Sequence, residues 1–242
     1  MGQSSGIGKN LVFIHGSGCN KALWAYQSRY FSQRHNVLAI DLPGHGLDKG
    51  SGLRSVDAYA QHVLSLIRQR SMRSPILIGH SLGGGIALRA ALDSPEEIGG
   101  IALVGTGARL RVAPGLLTSI KSDFASALAF IGEYAFSPKT PRELVEKALR
   151  EMGKASPDVL YGDFAACDRF DVMQEILGIR LPTAIIVGRD DRLTPIKYSE
   201  YLNKNISGSR IEIIDDAGHM VMLEQPAAFG DALERFIDAS GR

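Results

Sequence analysis

The chain has 242 residues, of which 45% are hydrophobic and 22% charged, and its formal net charge at pH 7 is +1. That length supports one substantial core, and the near-neutral balance gives no electrostatic reason to expect nucleic acid or an anionic membrane as a partner. Cys19 and Cys167 are the two cysteines, too few for a disulfide framework but enough for one bridge. No run of 18 apolar residues occurs, and Met1 to Asn10 lacks the apolar block of a signal peptide, so a cytoplasmic protein is expected. The Met-Gly start invites N-myristoylation, but position 6 is Gly where that signal needs Ser or Thr.

Short β-rich apolar runs alternate with helical patterns. Strands are expected at about 11–14, 36–41, 75–79, 99–104, 183–187 and 210–214. Several are apolar on both faces, as parallel strands covered by helices on each side should be. The first runs into His15-Gly16-Ser17-Gly18, and the second into Asp41-Leu42-Pro43-Gly44-His45-Gly46. Val56, Tyr59, Ala60, Val63 and Ile67 then recur at helical spacing, with Ser55 and Asp57 as start signals. The third strand leads into Gly79-His80-Ser81-Leu82-Gly83 and a helical stretch from Ile86 to Leu92. Phe229, Ala232, Leu233, Phe236 and Ile237 mark a last helix. Strands separated by helices imply an α/β fold with a mostly parallel, doubly wound sheet.

Between about 108 and 178 the rhythm breaks. This stretch offers no convincing strand, only helical patterns interrupted at Pro138, Pro141 and Pro157. It is expected to be a helical cap inserted between two sheet strands, within a single domain covering 1–242.

A serine with glycines at both second neighbours, on a turn from strand to helix, is G-x-S-x-G in the context that gives the pattern meaning. The turn must be sharp for the hydroxyl to project, so a Cβ at Gly79 or Gly83 is expected to clash. A phosphate-binding turn is the rival, since Gly83-Gly84-Gly85 opens a helix, but no Lys follows and the spacing is not G-x-G-x-x-G. Serine needs a base and an orienting acid. Of the six histidines, His219 lies between the last strand and the last helix, where a loop reaches the same end of a parallel sheet as Ser81. His80 adjoins Ser81 and cannot easily bend back onto the hydroxyl. His15 and His45 sit in glycine-rich turns, and His35 and His62 read as helix-end and helix-surface residues. The loop Gly188-Arg189-Asp190-Asp191-Arg192-Leu193-Thr194-Pro195 supplies the acid, Asp190 or Asp191, with Pro195 opening the next helix. For an oxyanion, the backbone N–H groups of Leu82 and Ser17 are the candidate donors.

Taken together, these segments resemble the α/β-hydrolase superfamily, specifically its small esterase-like members with a helical cap. The likeness covers nearly the whole chain and rests on His15 to Gly18, Asp41 to Gly46, Gly79 to Gly84, Gly188 to Pro195, and Gly218-His219 with Glu224-Gln225-Pro226. The family's Gly-x-x-Asp-x-x-x-Pro pattern places the acid on Asp191, so the resemblance implies Ser81 as nucleophile, His219 as base and Asp191 as orienting acid. Family members often begin with a β-hairpin, for which there is little room ahead of Leu11, so six or seven strands are expected rather than eight.

The resemblance implies acyl transfer to water with no metal and no cofactor, and a small-molecule ester as substrate. Apolar cap residues favour an aliphatic or aromatic acyl group. Phe124, Phe130 and Phe164, with Gly16 and Met220, are expected to line the pocket. Lactone, thioester or carbon–carbon bond hydrolysis, or ligand sensing without turnover, are the alternatives that the same fold allows.

Overall fold

The structure, a computed structural model, describes residues 8–48 and 50–240; the Met1-Gly2 start lies outside them. Its strands are β1 (Asn10–Ile14), β2 (Asn36–Ile40), β3 (Ile76–His80), β4 (Gly100–Val104), β5 (Thr183–Gly188) and β6 (Arg210–Ile214). They form one six-stranded sheet in the order β2-β1-β3-β4-β5-β6, and every neighbouring pair is parallel. The helices are α1 (Ala25–Phe31), α2 (Val56–Gln69), α3 (Leu82–Asp93), α4 (Leu116–Ser122), α5 (Phe124–Ala135), α6 (Arg142–Met152), α7 (Pro157–Arg169), α8 (Ile196–Asn205), α9 (Val221–Glu224) and α10 (Pro226–Ala239).

Because side chains alternate across a strand, each central strand feeds two cores. Val12 and Ile14 of β1 pack with Tyr59 and Val63 of α2 and Ile86 of α3. Leu11 and Phe13 face the other way, against Trp24, Phe31 and the α10 residues Phe229 and Leu233. β3, β4 and β5 are buried at every position, whereas β2 and β6, the two edges, are partly exposed. The apolar runs were therefore readable as strands because burial on both faces removes any polar alternation.

Strand order reverses between β1 and β3: the chain leaves β1 for β2 on one side and then returns to lay β3 on the other. At such a switch point the loops diverge and leave a crevice at the carboxyl ends of the strands. The loops after β1 and β3, carrying Ser17 and Ser81, open there. Ser55 caps α2 by accepting the Ala58 N–H at 3.1 Å. One expectation is off by a residue. Pro195 has ψ of 154°, which is not helical, so it stands as the cap before α8 rather than as its first residue.

Four helices, α4 to α7, lie between β4 and β5. The prolines act as expected: α6 begins after Pro141 and α7 at Pro157. The two ends of this stretch are stitched together where Arg109 and Asp171 form an antiparallel bridge and the Val172 N–H donates to Ala108 O at 2.8 Å. Ile120, Ala127, Ile131 and Leu160 extend the core of the α10 face, while Ala166, Cys167 and Phe170 join the α2–α3 face. Cys19 and Cys167 are both free thiols, so the one bridge the sequence allowed is not formed. Among the described residues no helix is long and apolar enough to cross a membrane.

Candidate active site

Ser81 follows β3 directly and precedes α3, with φ of 53° and ψ of −115°. A non-glycine residue in that region is strained, and the surroundings must hold it. They do so at the backbone: Ser81 N–H donates to Val104 O at 2.9 Å, and Ser81 O accepts from Gly84 N–H at 2.9 Å, Gly85 N–H at 3.1 Å and the Thr106 hydroxyl at 2.8 Å. The turn is tight enough that a Cβ on Gly79 would stand 2.1 Å from Gly83 O, and one on Gly83 would stand 2.4 Å from Ile14 O. Both glycines are thus required by close backbone approach, as the sequence reading anticipated.

His219 sits in the loop after β6. Its Nδ1 lies 2.9 Å from Asp191 Oδ2 and 3.2 Å from Thr194 Oγ1. The Asp191 side chain is wholly inaccessible to solvent. Its Oδ1 accepts from the N–H groups of Leu193 at 2.9 Å and Thr194 at 2.8 Å, and its Oδ2 also accepts from the Thr194 hydroxyl at 2.8 Å. The carboxylate is thus held in place by these donors, and its bond to the ring fixes the imidazole with its proton on Nδ1 and Nε2 bare. Asp190 turns away: its Oδ2 accepts from the Ser137 hydroxyl at 2.5 Å, and its N–H donates to Ala217 O.

The His219 loop is tied to the helices between β4 and β5. His219 N–H donates to Ala135 O at 2.7 Å, at the end of α5. Glu224 accepts from Gly218 N–H at 2.9 Å, from Ser137 N–H at 2.8 Å and from the Thr140 hydroxyl, so one carboxylate joins this loop to the segment after α5. His80 supports the same loop from below. Its Nε2–H donates to His219 O at 3.1 Å, and the two rings lie 4.6 Å apart. Burial, and then the neighbouring His219, push the His80 pKa well below its usual value, so the ring stays neutral.

A cavity of about 370 Å³ brings Ser81, His219 and Ser17 together. Leu110, Leu116, Phe130, Ile131, Tyr134, Met152, Phe164 and Met220 give it an apolar wall, with Arg111 and Arg192 at its polar side. Within the described residues Ser81 Oγ has no hydrogen-bond partner, and neither Ser17 N–H nor Leu82 N–H has an acceptor. Leu82 is the first residue of α3, where N–H groups have no intrahelical partner. Of the pocket expectations, Phe130, Phe164 and Met220 line the cavity, but Phe124 and Gly16 do not. Phe124 begins α5 and packs on the α10-side core instead. Gly16 is recessed: a Cβ there would meet His80 Nδ1 at 2.8 Å and Ser81 Cβ at 3.1 Å. The described residues contain no group of three or more His, Cys, Asp or Glu side chains placed to hold a metal ion.

Sequence reasoning missed a buried ionic cluster beside the site. Asp163 of α7 accepts from His45 Nε2 at 2.8 Å, from the Tyr59 hydroxyl at 2.8 Å and from Gly18 N–H at 3.1 Å. Both partners of the His45–Asp163 pair have no solvent-accessible side-chain surface. Burial opposes the charge on His45, but its bonds to Asp163 and to the Pro43 carbonyl outweigh it and hold the pKa above its usual value. His15 nearby is driven the other way, down to about 4, first by burial and then by His45. Nothing local marks Asp163 as a partner of the loop after β2.

These groups give stability two opposite pH dependences. His15 and His80 are neutral when folded, so the fold weakens as pH falls below about 6.5, where they charge on unfolding. His45 has a raised pKa in the fold, so its contribution is complete below about 6.5 and is lost as pH rises through that raised pKa. Urea-unfolding midpoints are expected to decline on the alkaline side more steeply in the wild type than in Asp163→Asn. Asp163→Ala, which leaves the buried Tyr59 hydroxyl, the Gly18 N–H and the His45 ring without their acceptor, is expected to cost on the order of 3 kcal/mol.

A fold of this kind, with a strained serine on the turn after β3 and a histidine–carboxylate pair across the same crevice, defines a hydrolase scaffold. The chain belongs to the alpha/beta hydrolase family, whose sequence pattern matches residues 11–232, and it is an esterase-like hydrolase. It superposes on a thermophilic esterase with a TM-score of 0.85 and 36% identity, over 96% of this chain and 91% of the other. It is 26% identical to a pimeloyl-[acyl-carrier protein] methyl ester esterase of Aliivibrio fischeri, over 98% of this chain and 96% of that protein. It is also 25% identical to 3-oxoadipate enol-lactonase 2 of Acinetobacter baylyi, over 93% and 86% of the two chains.

Proposed function

We propose that the protein hydrolyses carboxylic esters of small to medium apolar acyl groups through an acyl-enzyme on Ser81. The observation that carries this reading is that Ser81 and His219 line one apolar-walled cavity, with His219 Nδ1 2.9 Å from the buried Asp191 carboxylate. His219 Nε2 takes the hydroxyl proton as Ser81 Oγ attacks the ester carbonyl. Asp191 holds the ring in the required tautomer and stabilises the imidazolium. The oxyanion is received by the N–H groups of Leu82 and Ser17, which lack acceptors and are free to donate. The protonated ring then gives its proton to the leaving alcohol, and the same ring activates the water that releases the acid. Helices α4 to α7 act as a cap over the crevice within a single domain, and their side chains set the pocket's apolar character.

A lactone is a second reading, favoured by the 25% identity to an enol-lactonase. The test is a panel of p-nitrophenyl esters, acyl thioesters and lactones assayed side by side, with Ser81→Ala as control. Short acyl esters are expected to be turned over by the wild type and not by the variant. Tight binding of substrate without turnover by the intact protein would contradict the enzyme reading.

A further inference from the structure

Beside the site lies a second cavity of about 500 Å³, open to solvent where the exposed Ala22, Ala25, Tyr26, Lys147 and Glu151 line it. Cys19, Met152 and Met220 line both this chamber and the one that holds Ser81, so these three side chains form the partition between the two. The far walls are Leu23 beside the start of α1, Leu144 and Ala148 on α6, and Leu223 on α9. Lys147, Glu151 and Asn20 stand among its lining residues and supply the polar part of the wall. Met220 immediately follows His219, so the partition begins next to the reacting carbonyl.

A partition containing two methionines is unlike one of branched or aromatic residues. Methionine is unbranched, has three rotatable bonds and adapts its shape to what lies against it. Moving it aside joins two apolar spaces at little steric cost, and the joined space is longer than a short acyl group needs. Resting on the reading of Ser81 as the nucleophile, we propose that the acyl chain of the substrate passes between Met152 and Met220 into the second chamber. The enzyme then selects medium-length, unbranched aliphatic acyl groups of about eight to twelve carbons over short ones, because each methylene taken from water into the chamber adds to binding in the transition state.

The measurement is kcat/KM for p-nitrophenyl esters from acetate to dodecanoate. In the wild type it is expected to rise by about twofold to fourfold per methylene from butyrate to decanoate. Ala148→Trp fills the chamber from α6 without touching the cavity around Ser81. It is expected to lower kcat/KM for the decanoate ester by at least about tenfold while leaving butyrate within about twofold. Leu144→Trp, one turn earlier on the same helix, should give the same split if Ala148→Trp fails to fold. Decanoic acid should also raise the Tm of Ser81→Ala, and the shift should vanish when Ala148→Trp is added. A wild-type profile that falls beyond butyrate, or tryptophan variants that slow both esters equally, would overturn the proposal. Decanoic acid binding that survives the tryptophan would do so too. Absence of turnover at every chain length, with decanoic acid still bound and displaced by the tryptophan, would instead defeat the nucleophile reading and leave the chamber's occupant as assigned.

Discussion

Replacing Ser81 by alanine is expected to reduce kcat on a short p-nitrophenyl ester by about 10⁶, with the fold intact. The positive φ at this position is already borne by a residue with a Cβ, so alanine adds no new backbone strain. The hydroxyl is also not holding the turn together, because the bonds there are made by the Ser81 N–H and carbonyl. His219→Ala is expected to reach nearly the same floor, and the double variant no lower, since a hydroxyl without its base and a base without its hydroxyl are equally idle. Steady-state kinetics on the three variants, with melting curves as a check on folding, measures this. Losses that add across the pair would mean that the two side chains act separately.

Asp191→Asn is expected to lower kcat by about 10⁴, and Asp190→Asn by less than about tenfold. The two carboxylates are adjacent in the chain but face different partners. Asp191 is sealed from solvent and accepts the His219 Nδ1–H. An asparagine there can present an N–H₂ to the ring and favour the opposite tautomer, leaving a proton on the nitrogen that must accept one from Ser81. Asp190 accepts from the Ser137 hydroxyl, a bond that holds the segment after α5 and whose loss shows in Tm before it shows in rate. Equal kinetic losses in the two variants would undo the assignment.

The parts of this site that the sequence displays are those held within short stretches of chain. The strands announced themselves because burial on both faces leaves unbroken apolar runs, and the serine turn because two backbones approach too closely for a Cβ. Choosing between Asp190 and Asp191 was beyond the local pattern, since both are turn residues by composition. The resemblance to other hydrolases implies Asp191, and it is the Asp191 carboxylate that lies 2.9 Å from His219 Nδ1. Contacts that join distant segments carried no such mark. Asp163 meets His45 across 118 positions, Glu224 meets Ser137 across 87, and His80 supports His219 across 139. Phe124 illustrates the same limit among the helices between β4 and β5. Phe124 and Phe130 both pack against the same core, and their shared apolar character does not say that only Phe130 also lines the cavity.

Ser81, and no other side chain, is expected to become acylated. Treatment with a fluorophosphonate ester followed by intact-mass analysis and peptide mapping reads this directly. One equivalent of phosphonyl adduct is expected on the peptide carrying Ser81, absent in Ser81→Ala and formed orders of magnitude more slowly in His219→Ala. An adduct on a different residue, or ester turnover that continues in a protein fully resistant to the reagent, would contradict it.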